Sequence, residues 1–365
     1  MEDLGIDQKF LVPTQTRSLG EVSGSYTYFA DGDVLLAKIT PCFENGKLGI
    51  ADNLTNGIGF GSSEYIVFRP SPEMDKEWLY YFLSQDSFRV EGAERMTGAV
   101  GHKRVAKEFI ESYPIPVPPL PEQRRIGDIL DEAFDGIATA KANAEQNLQN
   151  ARALFESQLQ HVFTERGEGW VDATIGDNIR FIDYRGKTPE KTPNGLRLIT
   201  AKNVKMGYVQ SEPAEFVAPE SYDSWMTRGI PQRGDVLFTT EAPLANVAQL
   251  DTDEKVVFAQ RIIIMQPDRS KLDCTFLKYL LLSQPVQQRI HEKGTGATVK
   301  GIKASLLKAI EISFPQSLEV QQEIVTKLDS LSAETQRLES LYQQKLAALD
   351  ALKKSLLHQA FSGQL

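Results

Sequence analysis

Apolar residues recur through Pro121–Phe163 at steps of three and four: Ile126, Leu130, Ala133, Ile137, Ala140, Ala144, Leu148, Ala151, Phe155, Leu159 and Val162. That spacing lines one face of a helix. Glu319–Phe361 has the same spacing, with Ile324, Leu328, Leu331, Leu338, Tyr342, Leu346, Leu349, Leu352 and Leu356. Neither segment has a proline beyond its first turn, and Gly167 and Gly363 stand just past the two ends, where a helix stops readily. The segments align without a gap at an offset of 198 residues, through Leu120/Leu318, Gln123/Gln321, Ile126/Ile324, Leu130/Leu328, Asp131/Asp329, Leu154/Leu352, Ser157/Ser355 and Phe163/Phe361. Each helix is roughly 60–65 Å long at the standard rise. A narrow apolar seam of that length is stable in water against another such seam. The expected partner is the other copy, with Ile126, Leu130, Ile137, Leu148 and Leu159 facing Ile324, Leu328, Leu331, Leu349 and Leu356. The alternative is that each helix lies on its own neighbouring module.

The segments before each helix follow a shorter period. Strand-like runs stand at 26–29, 33–39 and 65–68, parted by turn-rich stretches such as Glu44-Asn-Gly46, and 75–83 reads as a short amphipathic helix. The second module echoes this plan. Gly234-Asp-Val-Leu237 repeats Gly32-Asp-Val-Leu35, 273–281 repeats the short helix, and Thr295-Gly-Ala297 repeats Thr97-Gly-Ala99. A proline-rich strip, 114–123, leads into the first long helix and sets its angle of entry. The predicted organisation is two mixed β-rich modules, 1–120 and 164–318, each followed by a long helix, 121–163 and 319–361, with a tail at 362–365. The first module is about 39 residues shorter than its counterpart ahead of the Gly-Asp-Val-Leu motif. Either it is a genuinely smaller domain, or the chain starts inside one.

Charge narrows the functional classes. The net charge is −9, shared as −6 over 1–120, −3 over the first helix, +1 over 164–318 and −1 over the remainder. No segment is strongly basic, which argues against nonspecific nucleic-acid binding by the chain alone. No apolar run approaches the roughly 20 residues that span a bilayer, and two cysteines make neither a disulfide framework nor a metal set. A cytoplasmic protein with reduced thiols is expected.

A search for catalysis finds nothing that survives. Gly186-Lys187-Thr188 lacks the earlier glycine of a phosphate loop, and Gly57-Ile-Gly59 lacks the third glycine of a dinucleotide fingerprint. The four histidines show no metal-ligand spacing. The polar loops are more suggestive. Lys38, Thr40, Asn45, Lys47, His102, Lys103 and Arg104 lie in the first module; Arg185, Lys187, Lys202, Asn203, Thr239, Thr240, Thr298, Lys300 and Lys303 lie in the second. Cationic, hydroxyl and amide side chains together suit phosphate contacts and base-edge hydrogen bonds. The plainer reading of any one of them is a solvated loop.

Several stretches together resemble the DNA-specificity subunits of type I restriction–modification enzymes: Pro118-Pro-Leu-Pro-Glu-Gln-Arg-Arg-Ile126 opening a long helix, GDVLLAKITPCFENGK (32–47), LITAKNVKMG (198–207), GDVLFTTEAPLANVA (234–248) and the closing AFSGQL (360–365). The resemblance implies an α+β fold in which two β-rich target-recognition domains are separated by an antiparallel coiled coil of the two long helices, with a pseudo-two-fold repeat. It implies double-stranded DNA as ligand, each domain reading half of a split site across a gap set by the helices. It further implies two methyltransferase subunits and two restriction (motor) subunits as partners and no catalytic residue on this chain; the residue patterns above lead to the expectation of no membrane, no metal and no cofactor. Val320 stands where the first helix has Glu122, so the second opening motif is degenerate. A competing reading, motivated by the acidic charge and the short first module, is a structural or antirestriction protein that binds restriction subunits without reading DNA.

Overall fold

Both long helices form, as Leu120–Thr164 and Leu318–Phe361, each uninterrupted. The computed structural model describes every residue except Met1, Ser23, Ser25, Arg185, Gly186, Lys187, Gln260 and Ala297. Its two compact units are not the linear segments expected from sequence. One unit holds Met1–Asn147 with Leu341–Leu365, and the other holds Leu148–Ser340. Each unit therefore takes a β-rich module plus a piece of both helices.

The reason is visible in the cores. In the first unit, Ile126 and Leu130 of one helix and Leu357 and Ala360 of the other are buried together with Trp78, Phe82, Phe88 and Phe109. In the second, Leu159, Phe163 and Leu328 join Phe238, Phe276 and Leu280. Within each unit the helical pieces run antiparallel: Lys141 Nζ reaches Asp350 at 2.5 Å in the first, and Arg152 Nε reaches Glu339 at 2.7 Å in the second. The two sequence-based alternatives for the helices are thus combined. The seam meets the other helix, and its ends serve as module core.

The expected interface residues divide by burial. Ile126, Leu130, Ile137, Leu159 and Leu328 are buried, while Leu148, Ile324, Leu331, Leu349 and Leu356 are half-buried. Two departures matter. Leu357 rather than Leu356 takes the fully buried position near the last helix's end, and Leu352, expected on the seam, faces solvent.

Twin locks fix each module to its helix. Gln123 is fully buried; its Oε1 accepts from Asp75 N at 2.8 Å, and its Nε2 donates to Glu73 O and Pro118 O. Gln321 does the same 198 residues on, with Asp273 N, Lys271 O and Pro315 O. Tyr81 donates to Asp131, and Tyr279 to Asp329, again at that offset. Burial first, then the carboxylate bond, pushes both phenol pKa values well above the ordinary tyrosine range.

The sheets of the modules share a central antiparallel core. In the first unit the order is Leu48–Ile50, Val34–Ala37, Tyr65–Phe68; in the second it is Leu244–Gln249, Val236–Thr240, Ile262–Pro267, Ile179–Asp183. The repeated Gly-Asp opens the second strand of each order. Gly32 and Gly234 have φ of 90° and 91°, which a side chain would oppose. Asp33 and Asp235 are buried and accept from Ala30 N and Gln232 N, and from Arg69 and Arg269 across the sheet. The second unit adds a three-stranded sheet, in which Val256–Phe258 and Leu196–Ile199 run parallel and Glu215–Val217 antiparallel.

The shorter first module closes one edge differently. In the second unit, Glu311–Pro315 pairs with Trp170–Thr174, and Trp170 packs on Phe163 and Phe276. The counterpart 113–117 is Tyr-Pro-Ile-Pro-Val, whose prolines remove N–H donors from the edge. Trp78 instead donates its Nε1–H to Pro116 O at 2.9 Å and packs on Phe361, with ring centroids 4.3 Å apart. An indole covers the equivalent phenylalanine in both units, but it arrives from different parts of the chain.

Candidate nucleic-acid interface

In each unit the second strand of the core sheet runs out into a turn with a cis proline, at Thr40–Pro41 and Ala242–Pro243. Beside that turn lies the Thr-Gly-Ala loop. In the first unit Thr97 and Arg104 close the loop with paired backbone hydrogen bonds of 3.0 and 2.8 Å. Val105 N→Lys38 O and Thr40 N→Lys103 O, both 2.9 Å, tie the loop to the strand end. In the second unit Thr295 and Gly301 close the loop at 2.8 and 2.9 Å, and Ile302 N donates to Thr240 O at 2.9 Å. Gly98 and Gly296 take φ of 125° and 124°; a Cβ on Gly98 would approach His102 O to 3.0 Å. Glycine is needed there because the loop turns in a left-handed conformation.

This assembly gathers most of the first-module candidates. Lys38 and Thr40 lie on the strand end, Asn45 and Lys47 on the following turn, and exposed His102, Lys103 and Arg104 on the loop. Arg104 is committed inside the module: Nε and Nη2 bond Glu64, at 2.9 and 2.6 Å for the shortest contacts, and Nη1 reaches His102 O. That bond, from Arg104, holds the Glu64 carboxyl below its ordinary pKa, so the pair stays ionised at neutral pH. Arg104 shapes the loop; His102 and Lys103 present themselves to solvent. Thr40 Oγ1 donates to Glu44 at 2.7 Å.

In the second unit Thr298, Lys300 and Lys303 are exposed on and just after the loop, and Lys202 is exposed on a turn laid against Leu244–Gln249. Three candidates are withdrawn. Asn203 is fully buried, with Oδ1 accepting from Thr200 N and Nδ2 donating to Pro213 O, so it closes its own turn. Thr239 is buried and its Oγ1 accepts from Asn246 N; Thr240 is buried and its Oγ1 donates to Arg261 O. Polar groups satisfied in this way hold the frame and have no face to offer a ligand. Arg185 and Lys187 lie outside the described residues.

Sequence reasoning passed over Val100 and Val299, because apolar periodicity does not flag a lone valine in a loop. It also passed over Glu64 and the Glu241–Arg261 ion pair at 3.0 Å, which brace the two turns. Among the described residues no cluster of His, Cys, Asp or Glu could hold a metal ion, and no helix is long and apolar enough to cross a membrane.

The model of the type I restriction modification DNA specificity domain matches residues 12–150 and 168–347. The type I restriction enzyme EcoEI specificity subunit of Escherichia coli is 46% identical over 113 residues, covering 31% of this chain and 19% of that protein. The MjaVIII specificity subunit of Methanocaldococcus jannaschii is 25% identical over 314 residues, covering 80% and 71%. A chain solved in a study of assembly and conformational transition of the type I R-M system superposes with a TM-score of 0.76 at 20% identity, covering 94% of this chain and 85% of that one. The match spans under a fifth of the length of the E. coli EcoEI and EcoAI relatives. With two matched segments that take in most of its length, the chain belongs to the type I restriction modification DNA specificity domain family.

Proposed function

We propose that this chain is the sequence-reading subunit of a type I restriction–modification complex. Each module reads one half of a split double-stranded DNA site, and the chain contributes no catalytic group. The observation that carries this reading is the loop assembly built twice. The strand-end turn and the Thr-Gly loop recur, each loop closed by a pair of backbone bonds from its threonine and the second loop one residue shorter, yet they present His102 and Lys103 in one unit and Thr298 and Lys300 in the other. A repeated frame with differing tips suits two readers of different sequences. Phosphate contacts position such a reader and base contacts give it specificity. The acidic balance of the chain is offset when partners supply many of the phosphate contacts.

The test uses the chain reconstituted with its methyltransferase subunit. Footprinting or mapping of methylated bases is expected to show a split sequence. Exchange of residues 164–318 for those of another reader is expected to change one half of it only; a change in both halves defeats the modular assignment.

The partners are read as two methyltransferase and two restriction (motor) subunits. Support comes from the residues shared by the two helices. Most are accounted for by packing or by the locks described above. Leu154 and Leu352 are not: they occupy equivalent positions and are 59% and 47% exposed, each one turn before a shared exposed serine, Ser157 or Ser355. Equal surfaces presented twice suit two copies of one partner. Leu352→Asp is expected to reduce the bound methyltransferase from two copies to one, read by mass photometry, with Leu154→Asp doing the same and the double variant binding none. Unchanged stoichiometry in all three removes these leucines from the contact.

A further inference from the structure

We propose that Val100 reads a thymine 5-methyl group in the DNA half-site of the first module; this rests on the DNA-reading function above. Val100 is 94% exposed, more than any other large apolar residue described. Leaving a valine in water at the tip of a loop brings no folding benefit. The loop itself is firmly built. Paired Thr97–Arg104 backbone bonds close it, His102 N→Ala99 O tightens its far end at 2.9 Å, and Arg104 on Glu64 braces its base. Gly98 and Gly101, with φ of 125° and 81°, set the turn. A rigid loop holding one small branched side chain outward costs little ordering entropy on contact. His102 and Lys103 follow it, both exposed, with side chains of the kind that contact phosphates or base edges. The second unit also carries an exposed valine in its loop, which closes one residue sooner: Val299 is 51% exposed beside Lys300.

The chemistry that matches an outward valine beside a histidine and a lysine in a DNA groove is a methyl on a base edge. In the major groove only thymine presents one among the unmodified bases. An uncharged branched side chain has no hydrogen bond to offer a base, so it distinguishes thymine by apolar contact alone. Val100 therefore contributes selection at a single position, and the neighbouring polar side chains contribute the rest.

The experiment selects binding sites from random duplexes with the reconstituted methyltransferase complex, then compares each selected thymine with deoxyuridine, which lacks only the methyl. With the wild-type chain, one thymine in one half-site is expected to lose about fourfold in affinity on replacement by deoxyuridine, the value of one methyl removed from water. Val100→Ala is expected to abolish that discrimination, to leave the other half-site's selection intact, and to melt at the wild-type temperature because the side chain is exposed. Retained discrimination in Val100→Ala, or a wild-type half-site indifferent to the methyl, overturns the inference while a selected split sequence leaves the function standing. Absence of any selected split sequence with the wild-type chain overturns both.

Discussion

Leu130→Asp is expected to destabilise the first unit by at least about 4 kcal/mol, the range of single changes that bury an unpaired polar group in a core. Leu130 is fully buried, on the helical face that meets Trp78, Phe82 and Leu357. Two effects add. Removing the leucine side chain and leaving a cavity costs about 2–5 kcal/mol, as in a leucine-to-alanine change. The introduced carboxyl then sits among apolar groups, where burial raises its pKa above the unfolded value. As pH rises from 4 to 8 the unfolded state gives up that proton first, so the penalty grows with pH. Urea unfolding followed by Trp78 fluorescence in a chain with Trp170 and Trp225 replaced by Phe reads this unit, since the other two tryptophans lie in the second. Leu130→Ala serves as the reference without charge. A midpoint unchanged by Asp removes the helix from the module core.

Gln321→Leu is expected to cost about 3 kcal/mol or more. The leucine matches the size of the glutamine but strands Asp273 N, Lys271 O and Pro315 O, each bonded at 2.7–2.8 Å to the fully buried Gln321 side chain. A buried backbone group without a partner costs about 1–3 kcal/mol, and three are lost together. Gln321→Glu tests the direction of the bonds. It keeps an acceptor for Asp273 N but turns a donor toward two carbonyls into an acceptor, so it is expected to be at least as damaging as leucine. Hydrogen exchange at Asp273 N is the direct readout. If that amide stays as protected in Gln321→Leu as in the wild type, the glutamine is not the lock the geometry describes.

The duplicated helices were legible because their signal is local. A period of three and four over some 40 residues without internal proline has one structural solution, and the 198-residue offset marks it twice. The Gly-Asp-Val-Leu and Thr-Gly-Ala repeats were legible for a related reason: a left-handed turn leaves a glycine behind. Their purpose was not. Nothing in the composition says that Asp33 and Asp235 are buried under arginines, or that Gln123 and Gln321 hold modules to helices rather than facing water.

The candidate interface divides along the same line. Residue types and their clustering near Lys38, Lys103 and Lys300 could be read in chain order, and so could the pairing of a frame with two divergent modules. Which side chains face outward could not. Val236–Thr240 is buried at all five positions, so it lacks the alternation that separates an inner from an outer face, and Thr239 and Thr240 passed for surface residues. Asn203 was lost to its own turn, and Val100 was gained at a tip that no periodicity marks. Local repeats and turn chemistry are written in neighbouring residues. Exposure depends on which distant segments come to lie against a side chain, and folding alone settles that.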